Sequence, residues 1–234
     1  MIMQIYDFEL MLDAGYRGYH VKDYNYECFE PVTKEFTFGI TPMSSTWEPL
    51  CVSRIDDSDD CSELPGLKYG DFSMLWTFTG GIILSRRAVE VLHPFLNDKV
   101  EFLPLVCDEP NVFVLMKVLN IYDYNEVLDE ENSKIVWSHQ TKRMIEAGFP
   151  KDFEYSRSHV LIFKEIAVEN QLIFKIRQCN IQYTFVTQQF VDIIVQNNLT
   201  GGKFTRVYPP MAEELRQQAY EKAMKKRQGH KKTM

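Results

Sequence analysis

Residues 77–105 read TFTGGIILSRRAVEVLHPFLNDKVEFLPL, and the spacing of apolar residues in this stretch decides the fold class. It opens with Ile82-Ile83-Leu84, an apolar run of strand length. Ala88, Val91, Leu92, Phe95 and Leu96 then recur at helical spacing, which predicts a helix with one apolar face. Ser85 stands at its start, placed to accept a backbone N–H two or three residues on. Replacing it with Ala should cost about 1 kcal/mol. Pro94 lacks a donor and crowds the preceding turn, so the regular helix should end or bend near His93. Val100-Glu101-Phe102-Leu103 alternates with period two, as a strand does. The unit is strand, capped helix, strand.

The pattern recurs 102 residues later. Placing Thr187 over Ser85 puts Gln188-Gln189 over Arg86-Arg87, and Phe190, Val191, Ile193 and Ile194 over Ala88, Val89, Val91 and Leu92. Allowing three extra residues around Gly201-Gly202, Val100-Glu101-Phe102-Leu103-Pro104 falls on Thr205-Arg206-Val207-Tyr208-Pro209. Cap, helix face, strand and closing Pro agree in order, which predicts an internal repeat over about residues 71–120 and 160–210.

Outward from these units, Met3 to Phe8 alternates as a strand, and Phe36 to Ile40 and Cys51 to Ile55 are further strand candidates. Thr79-Gly80-Gly81 precedes a strand rather than a helix, so it is a turn and not a phosphate cradle. Asp108-Glu109-Pro110-Asn111 separates two strand-like runs and predicts a hairpin. The second run, Val112–Leu119, is nearly all apolar and therefore central. Asn120 to Asp123 closes that strand. Residues 141–148 fit a short helix stopped by Gly148 or a loop, and Val160–Ala167 and Leu172–Ile176 are predicted strands. The expected architecture is α+β: mixed sheets built around two similar strand–helix–strand units, in one globular domain over residues 1–210. Residues 211–234 form a basic helical tail, with acids in its first turn and bases toward its end.

Composition narrows the function. The formal charge is −7, but residues 211–234 hold seven Lys and Arg against three acids, a net +4, which leaves −11 on residues 1–210. An acidic body disfavours nucleic-acid binding and suits a basic protein partner. No apolar run approaches the roughly 20 residues of a membrane span. The N-terminus MIMQIYDFEL lacks the charge and cleavage pattern of a signal peptide, so the expected location is cytoplasmic. The cysteines (Cys28, Cys51, Cys61, Cys107, Cys179) are odd in number and lack a C-x-x-C, which predicts free thiols and no zinc site.

The search for chemistry returns little. The histidines His20, His93, His139, His159 and His230 stand singly, with no H-E-x-x-H, and neither G-x-S-x-G nor a Walker A motif occurs. No catalytic residue, cofactor or metal is expected. Asp56, Asp57, Asp59, Asp60 and Glu63 put five acids into eight positions. A calcium loop would need Gly at its sixth position and Glu at its twelfth, where Cys61 and Leu67 stand. The segment is either a solvated acidic loop or a docking patch for a basic partner. Trp47, Trp76 and Trp137 are interface anchors or, as large aromatics beside apolar strands, core.

With these elements laid out, the chain resembles the immunity protein family numbered eleven of bacterial polymorphic toxin systems, once a domain of unknown function. The resemblance lies in Asp71-Phe72 ahead of Gly80-Gly81, in Ile83-Leu84-Ser85 with its helix, and in Val100-Glu101-Phe102-Leu103-Pro104. It continues through Val118 to Asp123 and ends in Ile173-Phe174 and Phe185-Val186-Thr187, with Trp47-x-Pro49 ahead of the core. It covers roughly residues 40–210. Ser73 to Phe78 makes the segment before the glycines longer than the family pattern. The resemblance implies a cytoplasmic antidote that binds a cognate toxin, here expected to be a basic C-terminal toxin domain, and supplies no catalytic residue. Two other classes remain open: an enzyme acting on a small molecule, and a nucleic-acid-associated accessory protein.

Overall fold

The computed structural model describes residues 3–11, 18–22, 32, 35–36, 39–55, 68–78, 80–96, 98–107, 114–135, 137–140, 142, 153, 160–179 and 183–210. Strands and helices are mixed in an α+β arrangement. An open five-stranded sheet contains β1 (Ile5–Leu10), β8 (Ile121–Tyr122), β9 (Ile173–Ile176), β10 (Phe185–Thr187) and β11 (Gly202–Tyr208), in the order β11-β1-β10-β9-β8. The other six strands close into a barrel, a closure the spacing alone had not indicated. They are β2 (Gly18–Val21), β3 (Leu50–Arg54), β4 (Phe72–Leu75), β5 (Gly81–Leu84), β6 (Val100–Cys107) and β7 (Val114–Val118), ordered β2-β3-β6-β7-β5-β4. β2 completes the ring by pairing in parallel with β4.

The opening stretch forms β5, helix α1 (Arg86–Leu96) and β6. All four residues of β5 are buried because both of its faces are covered. Ile83 points into the barrel, while Ile82 and Leu84 lie under α1. The helix buries Ala88, Leu92 and Leu96. Pro94 does not end it: the missing donor falls in the last turn, and Leu96 beyond it is locked in the core. Phe95, placed on the apolar face by spacing, is 44% exposed. Both β5 and β6 pair antiparallel with β7, so they run parallel to each other with β7 between.

The later segment has the same connectivity. β10 leads into helix α4 (Gln188–Gln196) and then β11, and both strands pair antiparallel with β1, which lies between them. Phe190 and Ile194 are buried as Ala88 and Leu92 are. The strand pairing read from sequence needs correction, however. Val100 and Phe102 face the core under the helices, whereas Val207, placed over Phe102, faces the opposite side of its sheet. Two extra residues, not three, put Val100 over Phe204, which packs against the same core. A slip of one residue exchanges the faces of a strand, so sidedness decides the register.

Three apolar clusters follow. One lies between barrel and sheet and draws on both: Ile82, Leu84 and Met116 from the barrel, Phe8, Ile173 and Val186 from the sheet, and both helices. A second fills the barrel with Tyr19, Val52, Leu75, Phe78, Leu103 and Leu115. The third covers the far face of the open sheet with Phe153, Phe163, Phe174 and Phe185. Here helices α2 (Tyr124–Val127) and α3 (Glu165–Val168) each contribute one buried valine.

Other expectations divide. β7 is mostly buried and paired on both sides, as its composition predicts, but in a closed barrel no strand is central; turn residues 108–111 lie outside the described residues. Ile121-Tyr122 is not the end of that strand but a separate one, paired in parallel with β9. Val160–Ala167 is not a strand: Val160 and Phe163 make isolated bridges and α3 begins at Glu165, where Ile166 can stay exposed. Phe36 lies in a helical turn rather than a strand, and Gly39 and Ile40 are irregular. The basic tail and almost all of residues 141–148 lie outside the described residues. No described helix is long and apolar enough to cross a membrane.

Candidate functional site

The densest polar arrangement is built on Asp71, at the entry to β4. Ser85 caps α1 as its position predicts, its hydroxyl accepting from Ala88 N–H at 3.1 Å. That hydroxyl also donates to Asp71 Oδ1 at 2.7 Å. Arg87 Nε donates to Oδ1 at 3.1 Å and Nη2 to Oδ2 at 2.5 Å, a bidentate pair. Thr200 closes the site from the other unit, donating its N–H (2.8 Å) and hydroxyl (3.1 Å) to Oδ2. Burial raises the Asp71 carboxyl, but the bonds from Arg87, Ser85 and Thr200 and the Arg87 charge outweigh it and hold it below the usual carboxylate range.

The backbone seals the same junction. The N–H groups of Asp71 and Phe72 both donate to Thr200 O, at 2.8 and 3.0 Å, and Arg87 Nη2 reaches Asn198 O at 2.9 Å. Gly201 sits at φ 95°, and a Cβ there would meet Phe72 O at 2.2 Å, so only glycine allows this approach. Beside the node, an open depression of about 600 Å³ lies between Tyr69, Arg86 and Glu90. Asp71 accepts five hydrogen bonds and has no lone pair left for a substrate. The node ties the barrel to the turn between α4 and β11.

One end of the barrel carries a second polar group that sequence reading missed. Glu101 and Lys117 face each other across β6 and β7, on the side that points inward. Lys117 is fully buried, bonded to Thr41 O at 2.6 Å and paired with Glu35 at 3.2 Å. Glu101 accepts from the N–H groups of Met43 and Ser44 at 2.7 and 2.8 Å. Phe36 and Met43 are thereby held over the barrel interior. The signal was available: Glu101 and Lys117 are charged residues at inward positions of strongly apolar strands.

Three further groups bear on chemistry. Ser53 Oγ and His20 Nε2 are 3.0 Å apart on adjacent strands, on the exposed outer face of the barrel. Among the described residues nothing orients the second ring nitrogen, as a nucleophile–base pair requires. On β1, between β11 and β10 in the open sheet, Asp7 is 2% exposed with Oδ1 unpartnered. Burial, reinforced by Glu9 and opposed by Lys203, pushes its carboxyl up to about 7. Lys175 on β9 is also buried, and burial lowers it to about 8.

Of the residues singled out from sequence, Asp56, Asp57, Asp59, Asp60 and Glu63 lie outside the described residues. The tryptophans separate. Trp47 donates to Pro104 O at 2.8 Å and packs on the barrel core. Trp137 meets Tyr124 and Phe153 edge-on under the open sheet. Trp76 is 59% exposed. Cys51, Cys107 and Cys179 are not in disulfide bonds, while Cys28 and Cys61 fall outside the described residues. Thr187 stands at the start of α4 as predicted, but its hydroxyl makes no cap bond and is buried without a partner. It also closes β10 opposite Ile5, which turns its side chain toward the far face of the sheet, away from the helix N–H groups. Among the described residues, no group of three or more His, Cys, Asp or Glu could hold a metal ion. No family model and no curated protein matches this chain.

Proposed function

We propose that this chain is an immunity protein of a bacterial polymorphic toxin system, which acts in the cytoplasm and neutralises a cognate toxin by binding it, without a cofactor or chemistry of its own. The observation that carries the reading is the use made of the residues behind the family resemblance. Asp71 and Ser85 are spent on the junction node, Gly81 opens a strand behind a turn, and Ile83 and Leu84 are core. Asn120 bonds Gln171 at 3.0 Å, and Asp123 forms a capping box with Glu126. A framework built this way leaves recognition to the surface, as a binding protein requires. The two strand–helix–strand units are then an internal repeat within a domain over residues 1–210, followed by a basic helical tail.

The charge of −11 on residues 1–210 supports a basic toxin domain as partner, with Asp56, Asp57, Asp59, Asp60 and Glu63 as part of the docking surface. Acids of this kind act mainly by steering encounter. The test is association kinetics with the toxin domain encoded beside this chain's gene, at two salt concentrations. Changing these five acids to Asn and Gln should leave folding intact, lower the association rate and weaken its salt dependence. Equal rates for variant and parent would remove the loop from the docking surface, and the absence of any complex with the parent would overturn the antidote reading. The polar groups gathered at the Asp71 depression are already bonded to one another, which favours binding over catalysis there.

A further inference from the structure

Residues 39–46 lie across one end of the barrel, held by charge rather than by burial. Among them Met43 alone is buried, and Ile40 is 51% exposed. The charges that hold them belong to the barrel itself. Glu101 Oε2 accepts from Met43 N–H at 2.7 Å and Oε1 from Ser44 N–H at 2.8 Å, so both carboxylate oxygens are engaged. Lys117, buried completely, donates to Thr41 O at 2.6 Å and to Glu35 Oε1 at 3.2 Å. The segment is fastened separately at its two ends. Gly39 N–H donates to Glu35 O at 3.0 Å, and Trp47 Nε1 donates to Pro104 O at 2.8 Å. Gly39 also makes room: a Cβ there would meet the Glu35 carboxylate at 2.2 Å, so the bare backbone lets Glu35 fold back onto Lys117.

Glu101 and Lys117 are themselves direct partners across β6 and β7. Opposed residues of an antiparallel pair have Cβ atoms about 4.5–5.5 Å apart, and opposite charges there attract. Yet these two do not bond each other; each is turned to the strap. The strap and the cross-strand partner therefore compete for the same two charges. Lifting a segment from a buried ion ordinarily leaves that ion without a partner, at high cost. Here the freed carboxylate and ammonium can close on each other, so opening exchanges one set of charge-assisted bonds for an ion pair. Little apolar surface resists the exchange, since Met43 is the one residue of the strap that is buried. An element with two alternative sets of partners for the same charges is bistable.

We propose that residues 39–46 form a strap that opens as a unit while the barrel stays folded, with a Glu101–Lys117 ion pair replacing the bonds that opening breaks. Opening uncovers the barrel mouth, where Phe36 meets Phe78 at 5.5 Å between ring centroids and Leu103 and Leu115 line the interior. The inference rests on these contacts and is independent of the antidote reading. Native-state hydrogen exchange of the full chain, followed amide by amide by NMR over low urea concentrations, tests it. The Met43 and Ser44 amides should exchange about a hundredfold faster than those of Leu115 and Met116 in β7, with little dependence on urea. Gly39→Ala pushes Glu35 off Lys117 and should speed Met43 and Ser44 about tenfold further, with β7 unchanged. Glu101→Gln, Lys117→Met and their double variant complete a cycle. With the two charges paired in the open state, the opening constants of parent and double variant multiply to about three times the product of the single variants. The parent and Gly39→Ala, which keep both barrel charges, decide the opening even where a charge variant fails to fold. Met43 and Ser44 exchanging at the rate of β7, with its urea dependence, would overturn the independent opening. An additive cycle would overturn the exchange of partners.

Discussion

Asp7 is a carboxyl on β1 of the open sheet, between β10 and β11, with one oxygen left without a partner. Burial raises its folded-state carboxyl to about 7, with the Glu9 charge adding to the shift. The folded chain therefore holds a proton there that the unfolded chain releases near the ordinary carboxylate value. Stability from this group is complete below about pH 4 and is lost as pH rises through about 7, by up to about 4 kcal/mol. Asp71 acts in the opposite sense: held below the usual range by its five bonds, it stabilises above that range and loses the contribution as acid protonates it. Urea unfolding at several pH values should show the parent losing stability relative to Asp7→Asn between pH 4 and 7. A parent-minus-variant difference that stays constant across that window would refute the assignment.

At the scale of the element, the two helix starts look alike in sequence and differ in physics. Ser85 both caps α1 and donates to Asp71, whereas Thr187 begins α4 with its hydroxyl buried and unpaired. Gln188 N–H is satisfied instead by Gln4 O at 3.1 Å, a partner from the N-terminal segment. Ser85→Ala should therefore cost about 1–2 kcal/mol, the cap together with a bond to a buried carboxylate. Thr187→Val, which removes only an unpaired hydroxyl at equal size, should be neutral or stabilising. Chemical denaturation of both variants distinguishes this asymmetry from two equivalent caps, which would predict equal losses.

For the molecule as a whole, the barrel and the open sheet share their largest contact through one core. Phe8, Phe190 and Phe204 pack together there, and Phe72 of the barrel meets Phe8 edge-on at 5.1 Å. The Asp71–Thr200 bonds and the Gly201 approach join the two parts at the rim of the same core. Neither part can unfold alone without exposing the face it gives to the other. Barrel and sheet should therefore melt in a single transition. Phe190→Ala, which opens a cavity at the shared core, should cost about 3–5 kcal/mol and shift that transition without splitting it. Two resolved transitions in calorimetry would show the parts to be independent.

The strand–helix–strand order of both units was legible in the sequence, because period and capping are local. Ile82 to Leu84, the Ala88–Leu92–Leu96 face and the Ser85 cap follow from spacing alone. Sidedness over many residues was not. The face that Val207 takes, and the register shift of β11 opposite Ile5 and Tyr6, are set by pairing with β1, a strand about two hundred residues away. Barrel closure rests on β2 meeting β4, and the Asp71 node on Thr200 arriving from the other unit. The exposure of Trp76, against the half-buried packing of Trp47 and Trp137 on the apolar clusters, depends on which surfaces remain once the sheets have packed. Local chemistry specified the elements; the tertiary structure decided which of their faces met, because burial is a property of pairs of surfaces and a single segment carries only one of them.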